Sequence, residues 1–319
     1  MSKQLKTSPI KDIRLKRGMK TDDLILEYFK SGGFSAKNVS MGVDILEKIQ
    51  NDSDCVSFLS FPACICATGC RGVIKDLLKH KLVDCVVTTT GTLDHDIARI
   101  WKDYYHGSFI ADDKELHKKD VYRLGNIFIP LENYGIILEK KLQPIIKDIF
   151  RNKNKSSTKD FIWEVGKRIS NEKHAKNSIV YWAWKNKIPV YIPGITDGAV
   201  GLHLWSYYQD HRNITIDLFQ DEQELSDIVF EANKTGALII GGGISKHHTI
   251  WWNQFKGGLD YAVYITTAVE HDGSLSGAKT HEAISWGKIK ESADSVTING
   301  DATLILPLMI SSLLDRIEV

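Results

Sequence analysis

Along this chain, short apolar, β-branched runs alternate with stretches in which apolar residues recur every three to four positions. The runs Val56–Ser60, Asp84–Thr89, Val190–Ile192, Ile214–Leu218, Ala237–Ile240, Tyr261–Thr266 and Ser295–Ile298 read as strands. Between them, Gly72–His80, Phe161–Ile169, Ser178–Lys185, Glu222–Asn233 and Thr303–Leu314 carry the helical period. This alternation predicts an α/β fold with a largely parallel sheet and helices on both faces. The runs VDCVVTTT and GALIIGGG are apolar throughout rather than every second residue, as strands covered on both faces should be.

The front end follows a different pattern. Thr21 followed by two aspartates predicts a helix start, and Gly32–Gly33 its stop. A second helix over about Ser35 to Ile49 completes a helical pair, so residues 1–52 read as a basic arm plus helical extension and 53–319 as one α/β domain. The polar stretch RNKNKSSTKD, residues 151–160, reads as an exposed loop.

Composition narrows the function classes. The 319 residues are 43% hydrophobic and 25% charged with a net charge of +1, which gives no field drawing the chain to nucleic acid or an anionic membrane. No apolar run has bilayer-spanning length, and the basic N-terminus lacks the apolar core of a secretory signal. Five cysteines, an odd number, point to a reducing, cytoplasmic setting. Cys64, Cys66 and Cys70 form C-x-C-x3-C with no second cluster at zinc spacing, so they read as small buried residues, with no metal.

Chemistry gathers at the ends of the strands. Thr89-Thr90-Gly91, Thr196-Asp197-Gly198, Gly241-Gly242-Gly243 and Thr266-Thr267-Ala268 all follow predicted strands. Ligands of open parallel sheets bind at the carboxyl ends of the strands, where glycine admits a close approach and helix N-termini offer free N–H groups. Four such turns suggest a large ligand such as a dinucleotide, although turn chemistry alone also favours these residue types. GGG is not the G-x-G-x-x-G fingerprint. The predicted fold class is therefore α/β, a largely parallel, Rossmann-like doubly wound sheet with an N-terminal helical extension. His247 and His248, in the first turn after GGG, are candidate bases, of which adjacent helix positions let one face the crevice. The densest group is EHDGSLSGAKTHEAISWGKI, residues 270–289, where Trp286 offers an apolar wall beside Lys288 and where Asp272 and Glu282 suit ammonium or hydroxyl groups. A lysine forms a Schiff base only as the free amine, which apolar or cationic surroundings favour.

The string EAISWGKI, preceded by DGSLSGA and followed by GDATLILPL, closely resembles the C-terminal signature of deoxyhypusine synthases. VVTTTG, NIFIPLENY, YWAWKNKIPVYIP, ITDGAVG, IIGGGISKHH and DYAVYITTA resemble that family as well, from about residue 9 to the end. The resemblance implies an NAD-dependent transferase that moves the aminobutyl group of spermidine, through a lysine imine, to one lysine of the translation initiation factor 5A precursor. It implies that Lys288 forms the imine and His247 is the base, with Glu282, Trp286 and Tyr264 in the polyamine pocket. It implies Thr90, Gly91, Asp197, Gly242, Gly243, Thr267, Asp272, Ser276 and Asp301 near NAD, and a homotetramer with sites at subunit interfaces. Related readings are a small-amine aminobutyl transferase of homospermidine synthase type and a non-catalytic NAD-binding partner subunit. The chain departs from eukaryotic members at Ala63-Cys64-Ile65-Cys66-Ala67, at Leu202 and Leu275 where carboxylates hold the polyamine, and at Trp251 and His95. These departures resemble archaeal-type members.

Overall fold

The computed structural model describes residues 7–318; the first six residues of the basic arm and the last residue lie outside the described residues. Six parallel strands form the central sheet: β1 (Cys55–Ser60), β2 (Cys85–Val87), β3 (Val190–Tyr191), β4 (Lys234–Ile240), β5 (Leu259–Thr266) and β6 (Ile289–Asn299). Their order is β6-β5-β4-β1-β2-β3. The chain starts at the centre, builds outward to β3, then returns to lay β4 on the free side of β1. The strand order thus reverses between β1 and β4, and a crevice opens outside their carboxyl ends.

Alternating strand residues enter two separate cores, which explains the unbroken apolar runs. Leu59, Leu238, Ile240, Val263, Ile265, Val296 and Ile298 pack into one cluster. Phe58, Ala237, Ile239, Ala262 and Tyr264 pack into the other. With both faces covered, the inner strands are apolar along most of their length, their buried exceptions being small hydroxyls such as Ser57, Ser60 and Thr235, whereas the edge strand β6 carries exposed polar residues.

Helices Thr21–Ser31 and Ala36–Asn51 form the predicted pair. They are tied to the C-terminal helix Ala302–Arg316 by Arg316, whose Nε donates to Asp22 (2.6 Å) and whose Nη1 donates to Asp44 (2.7 Å) and Glu47 (3.0 Å).

Three expectations need correction. The run at 214–218 is not part of the central sheet: Thr215–Ile216 pairs with Lys155–Ser156 in a two-stranded ribbon. Asp217 then caps helix Leu218–Glu231 by accepting from Gln220 N, four residues before the expected helix start at Glu222. The polar stretch 151–160 is only partly a loop, because Ser157 caps helix Thr158–Arg168 and Ser156, Ser157 and Thr158 are buried. Their polarity is satisfied internally: the buried Asp221 carboxylate accepts from Thr158 N (2.9 Å) and Lys159 N (3.2 Å). The third is an omission, an antiparallel sheet of Tyr105–His106, Ile127–Pro130 and Val121–Leu124. Its signal was available: Gly125-Asn126 joins VYRL to IFIP as a two-residue hairpin, with Gly125 at φ +60°.

Candidate active site

At the crevice lies a cavity of about 670 Å³. The carboxyl ends of β4 and β5 supply Gly241, Gly242, Gly243, Thr266 and Thr267; Ser276, Asp301 and the Gly125-Asn126 hairpin complete much of the wall. Gly241 (φ +67°) and Gly243 (φ +73°) hold left-handed conformations that glycine adopts freely. Gly242 is needed for space instead, since a Cβ there would lie 2.5 Å from Ser276 Cα. This turn brings the free N–H groups of helix Gly243–Gln254 to the cavity, an arrangement suited to a pyrophosphate. Asp301 caps helix Ala302–Arg316 by accepting from Thr303 N (2.8 Å), leaving its other oxygen for a hydroxyl. The volume, the glycine turn and the carboxylate together fit a dinucleotide.

Thr90, Gly91 and Asp197 lie at the neighbouring strand ends. A Cβ on Gly91 would lie 2.8 Å from Ala63 Cβ, which puts this turn against the 63–67 segment that borders the cavity. Thr90 is fully buried and its hydroxyl donates to Gly194 O (2.7 Å). Asp94 accepts from Ala199 N and Val200 N (2.8 Å each) and from Tyr134 OH, fixing the helix that follows Asp197. Asp272 is exposed, its Oδ1 accepting from Ser274 N (2.7 Å), and it does not line the cavity.

A second, smaller pocket of about 160 Å³ is lined by Lys246, Tyr264, Leu275, Glu282, Trp286 and Lys288, among others. Local turn chemistry places Lys288. Helix Thr280–Ser285 ends with Gly287 in the left-handed region (φ +65°), where Gly287 N donates to Ile284 O and Lys288 N to Ala283 O, both at 2.9 Å. This double bond pattern is a Schellman cap, so the glycine of SWGK turns the chain and sets Lys288 just ahead of β6. The Lys288 side chain is buried, with Nζ 5.2 Å from the centroid of the Trp286 ring, which is itself largely exposed. The buried Tyr264 hydroxyl has no hydrogen-bond partner among the described residues.

His247 stacks on Trp251, with centroids 5.6 Å apart and an interplanar angle of 22°. Burial, and then the positive charge of Lys288, hold its pKa below the ordinary imidazole value, so it is neutral at pH 7. His248 points elsewhere, towards Glu222 (3.2 Å). The pocket thus unites Lys288, Glu282, Trp286 and Tyr264, with His247 close enough to sense Lys288.

Of the departures, Leu275 lines the pocket and makes that wall apolar, whereas Leu202 is exposed on helix Ala199–Asp210. His95 sits among aromatics, its Nδ1 3.0 Å from Tyr104 OH, and burial with the nearby Arg99 charge pushes its pKa down to about 4. Cys66 and Cys70 are buried as expected, but Cys64 is not: it is exposed and lines the larger cavity.

Sequence reasoning missed Lys246. Its Nζ donates to Leu275 O and Ala278 O, both at 2.8 Å, and lies 4.1 Å from the Tyr264 ring centroid. Burial pushes its pKa down to about 8, with Lys279 and Lys288 acting in the same direction against Glu282. The only signal was its place in ISKHH, beside a histidine that drew attention first. Arg99 was missed too; its guanidinium donates to Cys66 O and Thr68 O (2.7 Å each), holding the 63–68 segment at the cavity.

A family model described as deoxyhypusine synthase matches residues 23–313. The chain is 54% identical over 311 residues to a probable deoxyhypusine synthase of Picrophilus torridus, covering 98% of each. To one of Thermoplasma acidophilum it is 49% identical over 312 residues, covering 98% of this chain and 99% of the relative. The crystal structure of a candidate deoxyhypusine synthase from Entamoeba histolytica aligns with a TM-score of 0.64 at 21% identity, covering 95% of this chain and 96% of that one. That structural likeness speaks for the shared fold, a parallel sheet flanked by helices. The sequence matches say more, because they extend over almost the whole chain at about half identity. The chain belongs to the deoxyhypusine synthase family.

Proposed function

We propose that the chain is a deoxyhypusine synthase that transfers the 4-aminobutyl group of spermidine to one lysine of the translation initiation factor 5A precursor. The observation that carries this reading is the pairing of two cavities across one loop. Leu275 faces the pocket that contains Lys288, and the next residue, Ser276, faces the cavity suited to a dinucleotide. When bound in the larger cavity, NAD would be the oxidant for the amine carbon and, as NADH, the reductant for the final imine. Gly242, Gly243, Thr267, Ser276 and Asp301 would hold it there, while Thr90, Gly91, Asp197 and Asp272, which do not line this cavity, are assigned to NAD on the family resemblance alone.

The chain's own groups do the rest. Glu282 and the Trp286 face receive the ammonium and alkyl parts of the donor. Neutral His247 takes the proton from the donor's secondary amine. The Lys288 amine adds to the donor's imine carbon and 1,3-diaminopropane leaves, so the butylamine unit remains as an imine on Lys288. The acceptor lysine then adds to that carbon and Lys288 departs as a free amine. We assign the working form as a homotetramer whose sites lie at subunit interfaces.

Trapping tests this directly. Protein, NAD and radiolabelled spermidine, reduced with borohydride, are expected to give label on Lys288 that is lost in Lys288→Ala. The apolar Leu275 wall favours keeping one other reading in view, a related transferase with a small-amine acceptor. Label passing to factor 5A supports the protein acceptor; label passing to free putrescine instead supports the other. No label with any amine would overturn both.

A further inference from the structure

Lys246 is buried to the degree typical of the core leucines, at 1% exposure, and no carboxylate among the described residues lies within ion-pairing distance of its Nζ. Burying an ammonium without such a partner is costly, and a methionine would fill similar volume without that cost. What the amine does reach is backbone. Its two hydrogen bonds end on Leu275 O and Ala278 O, on the loop joining β5 to helix Thr280–Ser285, and its charge lies against the Tyr264 face.

That loop forms part of both cavities. Leu275 and Ala278 line the smaller and Ser276 the larger. Several bonds within the loop are local, such as Ser274 N to Asp272 Oδ1 and Gly277 N to Ser274 O. A further tie to the body of the fold comes from Thr266 Oγ1, which donates to Ser276 O (2.9 Å). Lys246 therefore supplies two of the bonds that hold residues 275–278 onto the sheet and onto helix Gly243–Gln254. His247 is the next residue on that helix, so one side chain ties the base-bearing helix to the shared wall.

We infer that Lys246 is a positioning residue: its ammonium clamps the 275–278 loop and so sets the donor pocket and the nucleotide cavity together, without touching the reacting atoms. The inference deepens the proposed function and rests on it for the identity of the donor, while the clamp itself can be measured without turnover.

Lys246→Met keeps the stem and removes the donors. Hydrogen exchange of the 275–278 amides should accelerate. The KM for spermidine should rise by roughly tenfold or more, since small misplacements in a pocket are expensive. The kcat at saturation should stay within about threefold, as expected when binding rather than the transition state is affected. Unchanged loop exchange, or a fall in kcat at unchanged KM, overturns the clamp. If wild-type protein turns over no amine, the reaction assignment fails while the exchange result still decides the clamp.

Should Lys246→Met not fold, acetylation footprinting of the folded wild type decides instead. Lys246 should acetylate far more slowly than Lys118, whose side chain is 69% exposed, and should speed up in Thr266→Val, where the loop loses its other tie. Labelling of Lys246 as fast as Lys118, or no acceleration in Thr266→Val, overturns the proposal.

Discussion

Gly242→Ala is the sharpest test of how the two cavities depend on one loop. Gly242 has a negative φ (−157°), so alanine there escapes the left-handed strain it would meet at Gly241 or Gly243 and the main effect is steric. The added Cβ would lie 2.5 Å from Ser276 Cα and 2.7 Å from Ser276 Cβ. Restoring ordinary contact moves the Ser276 backbone by on the order of 1 Å. The Ser276 carbonyl is bound by Thr266 Oγ1, and Lys246 holds Leu275 and Ala278 on either side, so the displacement is resisted. Overpacking of this kind costs about 1–3 kcal/mol. The preceding segment Glu270–Ser274 is exposed, so the loop can relax outward there at the cost of loosening only the Leu275 contact with the second core. Most of the cost should therefore fall on closing the cavity around NAD, weakening its binding about 5- to 150-fold with little change in thermal stability. Titration calorimetry with NAD, alongside a thermal melt, reads both quantities. A folded variant that binds NAD within twofold of wild type would refute the claim that Gly242 is a glycine for the sake of Ser276.

Two further predictions probe other parts of the site. Asp301→Ala removes a helix cap and a cavity carboxylate at once, so it should cost about 1 kcal/mol of stability in a chemical melt and weaken NAD binding, whereas Asp301→Asn should recover the cap; equal stability loss in both would count against the capping role. His95 has a folded pKa of about 4, depressed by burial and Arg99, against an ordinary 6.5. Above pH 6.5 its contribution to stability is complete; as pH falls towards 4 the unfolded chain binds a proton that the folded chain refuses, and stability drops. Between pH 7.5 and 5, wild type should lose about 2 kcal/mol more than His95→Gln, with parallel losses in the two proteins excluding the assignment.

Much of the fold was legible because burial on both faces leaves a plain mark on a strand. β1, β4 and β5 are apolar at consecutive positions, and the glycine and threonine turns after β2, β4 and β5 mark where the crevice opens. The 105–130 sheet was illegible for the opposite reason. Its strands are two to four residues long and mostly half-exposed, so no hydrophobic period develops, and only the Gly125-Asn126 turn betrays it. Thr215–Ile216 misled because an isolated apolar run cannot say which sheet it joins.

The candidate site divides along the same line. Lys288, Glu282 and Trp286 stand in one short segment, so their proximity follows from a single helix and its Schellman cap. Lys246 depends on tertiary structure: sequence places it one residue from His247, and on a helix consecutive residues point about a quarter-turn apart. Which of the two turns inward is decided by β5 and the loop that follows it, where Tyr264 offers a ring face and Leu275 and Ala278 offer carbonyls. A buried lysine held by backbone carbonyls leaves no trace in the identity of its partners, because every residue type has a carbonyl. The wall shared by the two cavities is for that reason the part of this site that sequence was least able to reveal, and the part where a single substitution should speak most clearly.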